Sequence, residues 1–176
     1  MTGWMQSVDL SSVYWLLPLL FMFHDFEEIL TVERWGAQNR LDLEASLPRR
    51  VLAKIAPSLR MTTLRFAWDV LYVYIIVFVS AALAVLFSFK WLYLAVLAVF
   101  FLHAFSHMFF SAVLRRYTPG VVTAVCIVLP YSLFAYARLM KDRVITLEDA
   151  AFGGLIALVL LPGVLALLLK KRANEA

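Results

Sequence analysis

The chain has 176 residues, of which 64% are hydrophobic and 16% charged, with a mean hydropathy of +0.86 and a formal charge of +4. Soluble domains carry roughly 45–50% apolar and about 25% charged residues, and a chain this small has too much surface for its volume to hide the surplus. These figures exclude a soluble globule and a disordered or collagen-like chain, and one cysteine excludes a disulfide scaffold; they read as an integral membrane protein.

Five apolar runs are long enough to cross about 30 Å of hydrocarbon as helices of about 20 residues. The first is Val13 to Thr31. Its leader has no Lys or Arg and no convincing cleavage site follows, so it reads as a retained helix rather than a signal peptide. A connection over residues 33–65 follows, with seven basic residues. Within it Leu47, Val51, Ile55 and Leu59 recur four apart, Pro48 suits a first helical turn, and Arg49, Arg50 and Lys54 lie off the apolar stripe. That pattern predicts a short amphipathic helix in the membrane interface. The further spans are Phe66 to Phe87, Trp91 to Leu114, Tyr117 to Leu139, and Ala150 to Leu169. Alternating strand patterns are absent, so a barrel is not expected. The expected fold is an all-α polytopic membrane helix bundle of about five transmembrane helices, one domain over residues 1–176.

Basic residues set the topology. Twelve of them fall on one side of such a five-span chain and four on the other. The positive-inside rule puts the twelve in the cytoplasm, with the N-terminus outside and the C-terminus inside. The expected location is an inner or plasma membrane of bacterial type. Bases confined to short loops argue against a nucleic-acid partner. Trp4, Trp35 and Trp91 mark span ends, Cys126 reads as a packing residue, and Pro18, Pro130 and Pro162 bend spans. Gly153, Gly154 and Gly163 allow close helix contact. No repeat divides the chain into inverted halves, which lowers the expectation of a common secondary transporter.

The segment FMFHDFEEILTVE sets His24, Asp25, Glu27 and Glu28 inside the first span, with no Lys or Arg there to neutralise them. A charge at the bilayer centre costs about 2.5–3.5 kcal/mol on the insertion scale, so protonation, another helix, water or a metal must lower that cost. His24, Glu27 and Glu28 are spaced i, i+3, i+4 and share a helical face, while Asp25 projects about a quarter turn away, nearer to Glu28 than to Glu27. In the third span His103 and His107 share a face at i, i+4, and these are the remaining two of three histidines. Both clusters fall in the same half of their spans, where they can meet at one depth. The outer halves look almost entirely apolar. Asp69 and Tyr72 in the second span, and Tyr117 and Thr118 at the start of the fourth, are candidates for orienting the ligands. Asp69 could also ligate directly or pair with Arg65.

The HDFEE segment, His24 to Glu28, resembles the signature of the HXXEE family of membrane proteins of unknown function. A second family motif, a polar residue four positions before a histidine, is similar to HAFSH. There His107 carries over, while His103 stands where the family pattern has Asn. The YTPG run, Tyr117 to Gly120, lies in a comparable region without matching a further motif. The resemblance implies an enzyme but no particular reaction.

Imidazole and carboxylate are the usual ligands of zinc, iron and manganese. The expected centre uses His24, Glu28, His103 and His107 as metal ligands, with Glu27 or Glu28 as general base, in a hydrolase working on a lipid or other hydrophobic substrate at the cytoplasmic leaflet. Zinc is favoured over iron or manganese. An iron oxygenase is the next enzyme reading, although the Glu-x-x-His pattern of di-iron bundles is present only in reverse. A metal or proton transporter and a non-catalytic structural protein are the other classes. The expected partners are membrane lipid and a hydrophobic small molecule, with oligomeric state open.

Overall fold

The computed structural model describes residues 8–46 and 48–159. They form an all-α bundle: α1 (Leu10–Ser46), α2 (Arg49–Leu59), α3 (Thr63–Phe87), α4 (Lys90–Leu114), α5 (Val121–Lys141) and α6, which starts at 147 and is described to 159. Among the described residues three helices, α3, α4 and α5, are long and apolar enough to cross a membrane. That is fewer than the five expected. The expected first span lies in α1, whose apolarity His24, Asp25, Glu27 and Glu28 dilute, and the fifth lies mostly outside the described residues. Large apolar side chains of α3 such as Ile75, Phe78 and Leu86 face outward. Water would not tolerate such a surface, and lipid does.

The connection expected over 33–65 is largely helical. Residues 32–46 carry helix formers (Glu, Arg, Ala, Gln, Leu) and no proline, so α1 continues for 37 residues to Ser46. Gly36 is tolerated there for a packing reason: a β-carbon on it would stand 2.6 Å from the carbonyl oxygen of Leu59. The small residue lets the end of α2 press against α1. The predicted amphipathic helix forms as α2, with Pro48 just before its first residue. At the start of α3, Glu33 of α1 accepts the N–H of Thr63 at 2.7 Å. An anion at a helix N-terminus is favourable, and the same N–H holds the Glu33 carboxyl below its ordinary range.

The expected fourth span begins four residues late. Pro119 and Gly120, the latter at φ +84°, form a turn, and α5 starts at Val121. Two bonds anchor this turn to the extension of α1. Trp35 Nε1 donates to the Tyr117 carbonyl at 2.7 Å, and Arg116 Nη1 donates to Asn39 Oδ1 at 2.7 Å. After one turn α5 widens into a π-helical segment, Ala124–Val128, before continuing as α-helix from Leu129. Pro130 lies just beyond it; proline has no N–H and crowds the carbonyl four residues back, a local cause of such widening.

The core runs along α1, α4 and α5 through Leu17, Phe21, Leu97, Phe100, Ala104 and Val128. Towards the α3–α4 end it is more polar than expected. Tyr93 and Tyr131 are buried with their hydroxyls 2.8 Å apart, Tyr131 donates to the Val13 carbonyl at 2.8 Å, and Ser132, next to Tyr131 in sequence, is buried too. Tyrosine hydroxyls can be buried cheaply because each finds a partner. The same end is tied by Lys90 to Asp149 at 2.8 Å, and by Arg138 to the Val8 carbonyl and to Asp142 Oδ2, both at 2.8 Å.

Candidate metal centre

Towards the α4–α5 end, the two histidine-bearing helices meet. His24 of α1 is fully buried, and its ring lies 5.3 Å from that of His103 and 4.9 Å from that of His107, centroid to centroid. The two α4 rings are 4.3 Å apart. All three pairs are nearly perpendicular, at 82–84°. The Nε2 atoms of His103 and His107 approach to 2.8 Å, and His107 Nε2 lies 3.2 Å from Glu28 Oε1. One ligand atom from each of His24, Glu28, His103 and His107 fits within 4.8 Å of every other. Tetrahedral zinc with bonds of about 2.0–2.1 Å would hold its ligand atoms roughly 3.3 Å apart. The group brackets that spacing, so small side-chain adjustments suffice. His24 Nε2 is buried without a hydrogen-bond partner. An orphaned imidazole nitrogen among two further imidazoles and a carboxylate is what a cation site requires.

The turn before α5 forms one wall. A β-carbon on Gly120 would meet His107 Cε1 at 2.7 Å and Glu28 Oε1 at 2.9 Å. The His107 ring also donates to the Pro119 carbonyl, since proline offers only an acceptor. Ligating histidines usually have their second nitrogen held in this way.

Residues 15–135 match the family described as a protein of unknown function with HXXEE motif. The chain belongs to that family. Its name-giving residues are His24, Glu27 and Glu28 here, so the site described above is built on the motif itself. No curated protein and no solved structure matches the chain.

The structure separates the two glutamates of the motif. Glu28 turns towards His107, its Oε1 3.2 Å from the His107 Nε2. Asp25 is buried, and its Oδ2 has no partner. Glu27 turns towards the start of α5. Its Oε2 accepts the Thr123 N–H at 2.7 Å and the Thr123 hydroxyl at 2.6 Å; its Oε1 accepts the Tyr117 hydroxyl at 2.8 Å and, more weakly, the Val122 N–H at 3.4 Å. Glu27 therefore does for α5 what Glu33 does for α3: a carboxylate of α1 caps a helix N-terminus across the bundle.

Of the other residues singled out in the sequence, Tyr117 reaches the site through Glu27. Thr118 is buried in the same turn, with a hydroxyl that has no partner. Asp69 is buried on α3 and Tyr72 is half exposed on it; neither belongs to the four-ligand group. Sequence reasoning missed Thr123 and Gly120. A signal existed: Pro-Gly before an apolar run marks a helix start, and the N–H groups two and three residues on must find an acceptor.

Proposed function

We propose that the chain is a membrane-embedded, metal-dependent enzyme, a hydrolase of a lipid or other hydrophobic ester or amide at the cytoplasmic leaflet. The observation that carries this reading is the convergence of His24, His103, His107 and Glu28 on one point, with the His24 Nε2 lone pair unclaimed by any other group. Three imidazoles and a carboxylate favour zinc over iron or manganese, on donor type. Zinc held there would supply a bound water with a pKa near 7 and would polarise the substrate carbonyl.

The three histidines are the proposed ligands. Glu28 is the proposed base, because three protein ligands leave a position for water whereas four close a tetrahedral site. In hydrolysis the water oxygen adds to the carbonyl carbon, the bond to the leaving oxygen or nitrogen breaks, and Glu28 carries the water proton to the leaving group. Glu27 is a poor base in this geometry. Four donors already occupy its oxygens, so its proposed role is to position α5.

The proposed topology keeps five crossings, with residues 13–31 of α1 and 150–169 completing the set, and places the site in the cytoplasmic half beside Arg115 and Arg116. The basic stretch around α2 would then lie on the inner membrane face. A transport reading is disfavoured by the layer of Leu17, Phe21, Leu97, Phe100 and Val128, which separates the histidines from the buried tyrosines and is itself buried.

Elemental analysis of detergent-solubilised protein tests the reading. Near-stoichiometric zinc is expected; folded, homogeneous protein that takes up neither zinc nor iron rejects it. Zinc or proton uptake into liposomes without turnover of any ester or amide lipid would replace the hydrolase with a transporter.

A further inference from the structure

We propose that Thr123 is a positioning residue that fixes which nitrogen of His24 carries the proton, through a Glu27–Thr123–His24 relay that leaves Nε2 as a bare lone pair facing the other histidines. The proposal rests on the metal-centre reading and extends it to a residue on a third helix.

The argument is an accounting of protons. A threonine hydroxyl has one proton to give and two lone pairs to accept with. Thr123 Oγ1 stands 2.6 Å from Glu27 Oε2, 2.8 Å from His24 Nδ1 and 3.3 Å from the Gly120 carbonyl. The carboxylate and the carbonyl can only accept. If the hydroxyl proton pointed to His24 instead, a lone pair of Oγ1 would face a carboxylate oxygen at 2.6 Å with no proton between them. The hydroxyl therefore donates to Glu27 and accepts from His24, whose Nδ1 must carry the hydrogen. In the neutral ring Nε2 is then unprotonated, and it is this atom that lies buried without a partner, on a ring whose centroid is 5.3 Å from that of His103 and 4.9 Å from that of His107. Glu27 in turn cannot rotate away easily, because the Thr123 and Val122 N–H groups and the Tyr117 hydroxyl hold it. The start of α5 thus sets a tautomer on α1, and the order carboxylate, hydroxyl, imidazole matches the known use of hydrogen-bonded partners to orient ligating histidines.

Two measurements test this together. The first uses 15N-histidine-labelled protein, stripped of metal, in detergent. Long-range 1H–15N spectra of three histidines report each tautomer directly. His24 is expected as the Nδ1–H form; an Nε2–H form in the wild type overturns the proposal, whether or not any variant folds. The second compares zinc affinity, by chelator competition, in Thr123→Val and Thr123→Ser. Valine keeps the shape and loses the hydroxyl, and serine keeps the hydroxyl. Valine is expected to weaken zinc binding about 10- to 100-fold and to lose the single His24 tautomer, and serine to restore both. A valine variant that folds, keeps the Nδ1–H form and binds zinc as the wild type does would reduce Thr123 to a cap of α5 and overturn the proposal. A wild type with the expected tautomer but no affinity for zinc or iron would uphold the relay and reject the metal centre, so the two failures are distinguishable.

Discussion

A β-carbon on Gly120 would lie 2.7 Å from Cε1 of His107, so the turn before α5 is seated directly on a ligand of the candidate centre. The same glycine has φ +84°, where a side chain costs about 1–2 kcal/mol. Gly120→Ala combines the strain with a clash and should lower both the unfolding temperature and the metal content. Gly36→Ala provides the contrast. Its clash is with the Leu59 carbonyl, away from the histidines, so it should loosen α2 while metal content stays at the wild-type level. Equal metal loss in both variants would show that the turn has no special seat.

His107→Ala should abolish metal retention and leave the helical circular dichroism intact. It removes a candidate ligand that is mostly buried but lies outside the apolar core. His103→Ala should behave alike, because its Nε2 lies beside that of His107. Unchanged metal binding in either variant removes that histidine from the ligand set.

The two glutamates of the motif should separate experimentally. In Glu27→Gln an amide NH2 replaces an acceptor facing donors at the start of α5, which should cost about 1–3 kcal/mol of stability. Glu28→Gln keeps the side chain's shape and an acceptor oxygen beside His107, so it should cost less stability than Glu27→Gln while abolishing turnover. Denaturation in mixed micelles and a lipid-hydrolysis assay read the two effects, and the reverse pattern would exchange the roles.

At the opposite end, the tyrosine pair predicts an asymmetry. Tyr131 makes the 2.8 Å bond to the Val13 carbonyl and is also the partner of Tyr93, whose own contact with that carbonyl is 3.4 Å. Tyr131→Phe therefore strips the short bond and leaves the Tyr93 hydroxyl only its longer contact with the Val13 carbonyl, costing about 1–3 kcal/mol, whereas Tyr93→Phe leaves the short bond in place and should cost less, about 1 kcal/mol. Equal losses in thermal unfolding would contradict the bonding order.

Asp149 predicts a dependence on acid. The Lys90 ammonium at 2.8 Å and the Thr146 N–H hold its carboxyl below the ordinary value of 3.8. A carboxyl depressed in the folded state binds protons more readily when unfolded. Its stabilising contribution is complete above the ordinary carboxylate range and fades as pH falls through the folded value. The Lys90–Asp149 tie should thus weaken only in acid, and Asp149→Asn should flatten that part of the stability curve measured from neutral pH downwards.

Much of this chemistry was legible in the residues. His24, Glu27 and Glu28 share a face by helical spacing, as do His103 and His107, and three histidines in apolar runs leave little room for surface roles. The length of α1 was not legible, because a charged amphipathic extension and a solvated loop have similar composition; residues 32–46 continue the helix, and Gly36 lets α2 pack closely against them. The start of α5 was misplaced for a related reason. Hydropathy registers Tyr117 and Thr118 as ends of a span, while Pro119 and the left-handed Gly120 decide where helix begins.

Composition and periodicity are properties of the chain taken locally, so the sequence by itself determined a membrane-type helical protein with two faces that carry histidine and carboxylate side chains. Which glutamate serves the histidines and which serves a helix end depends on where a third helix starts, about a hundred residues away. Neighbouring side chains on a helix point about 100° apart, so the packing of α5 against one side of α1 gave Glu27 to Thr123 and left Glu28 to His107. That division is tertiary, because hydrogen-bond donors that meet a carboxylate only through folding cannot be read from its neighbours in sequence.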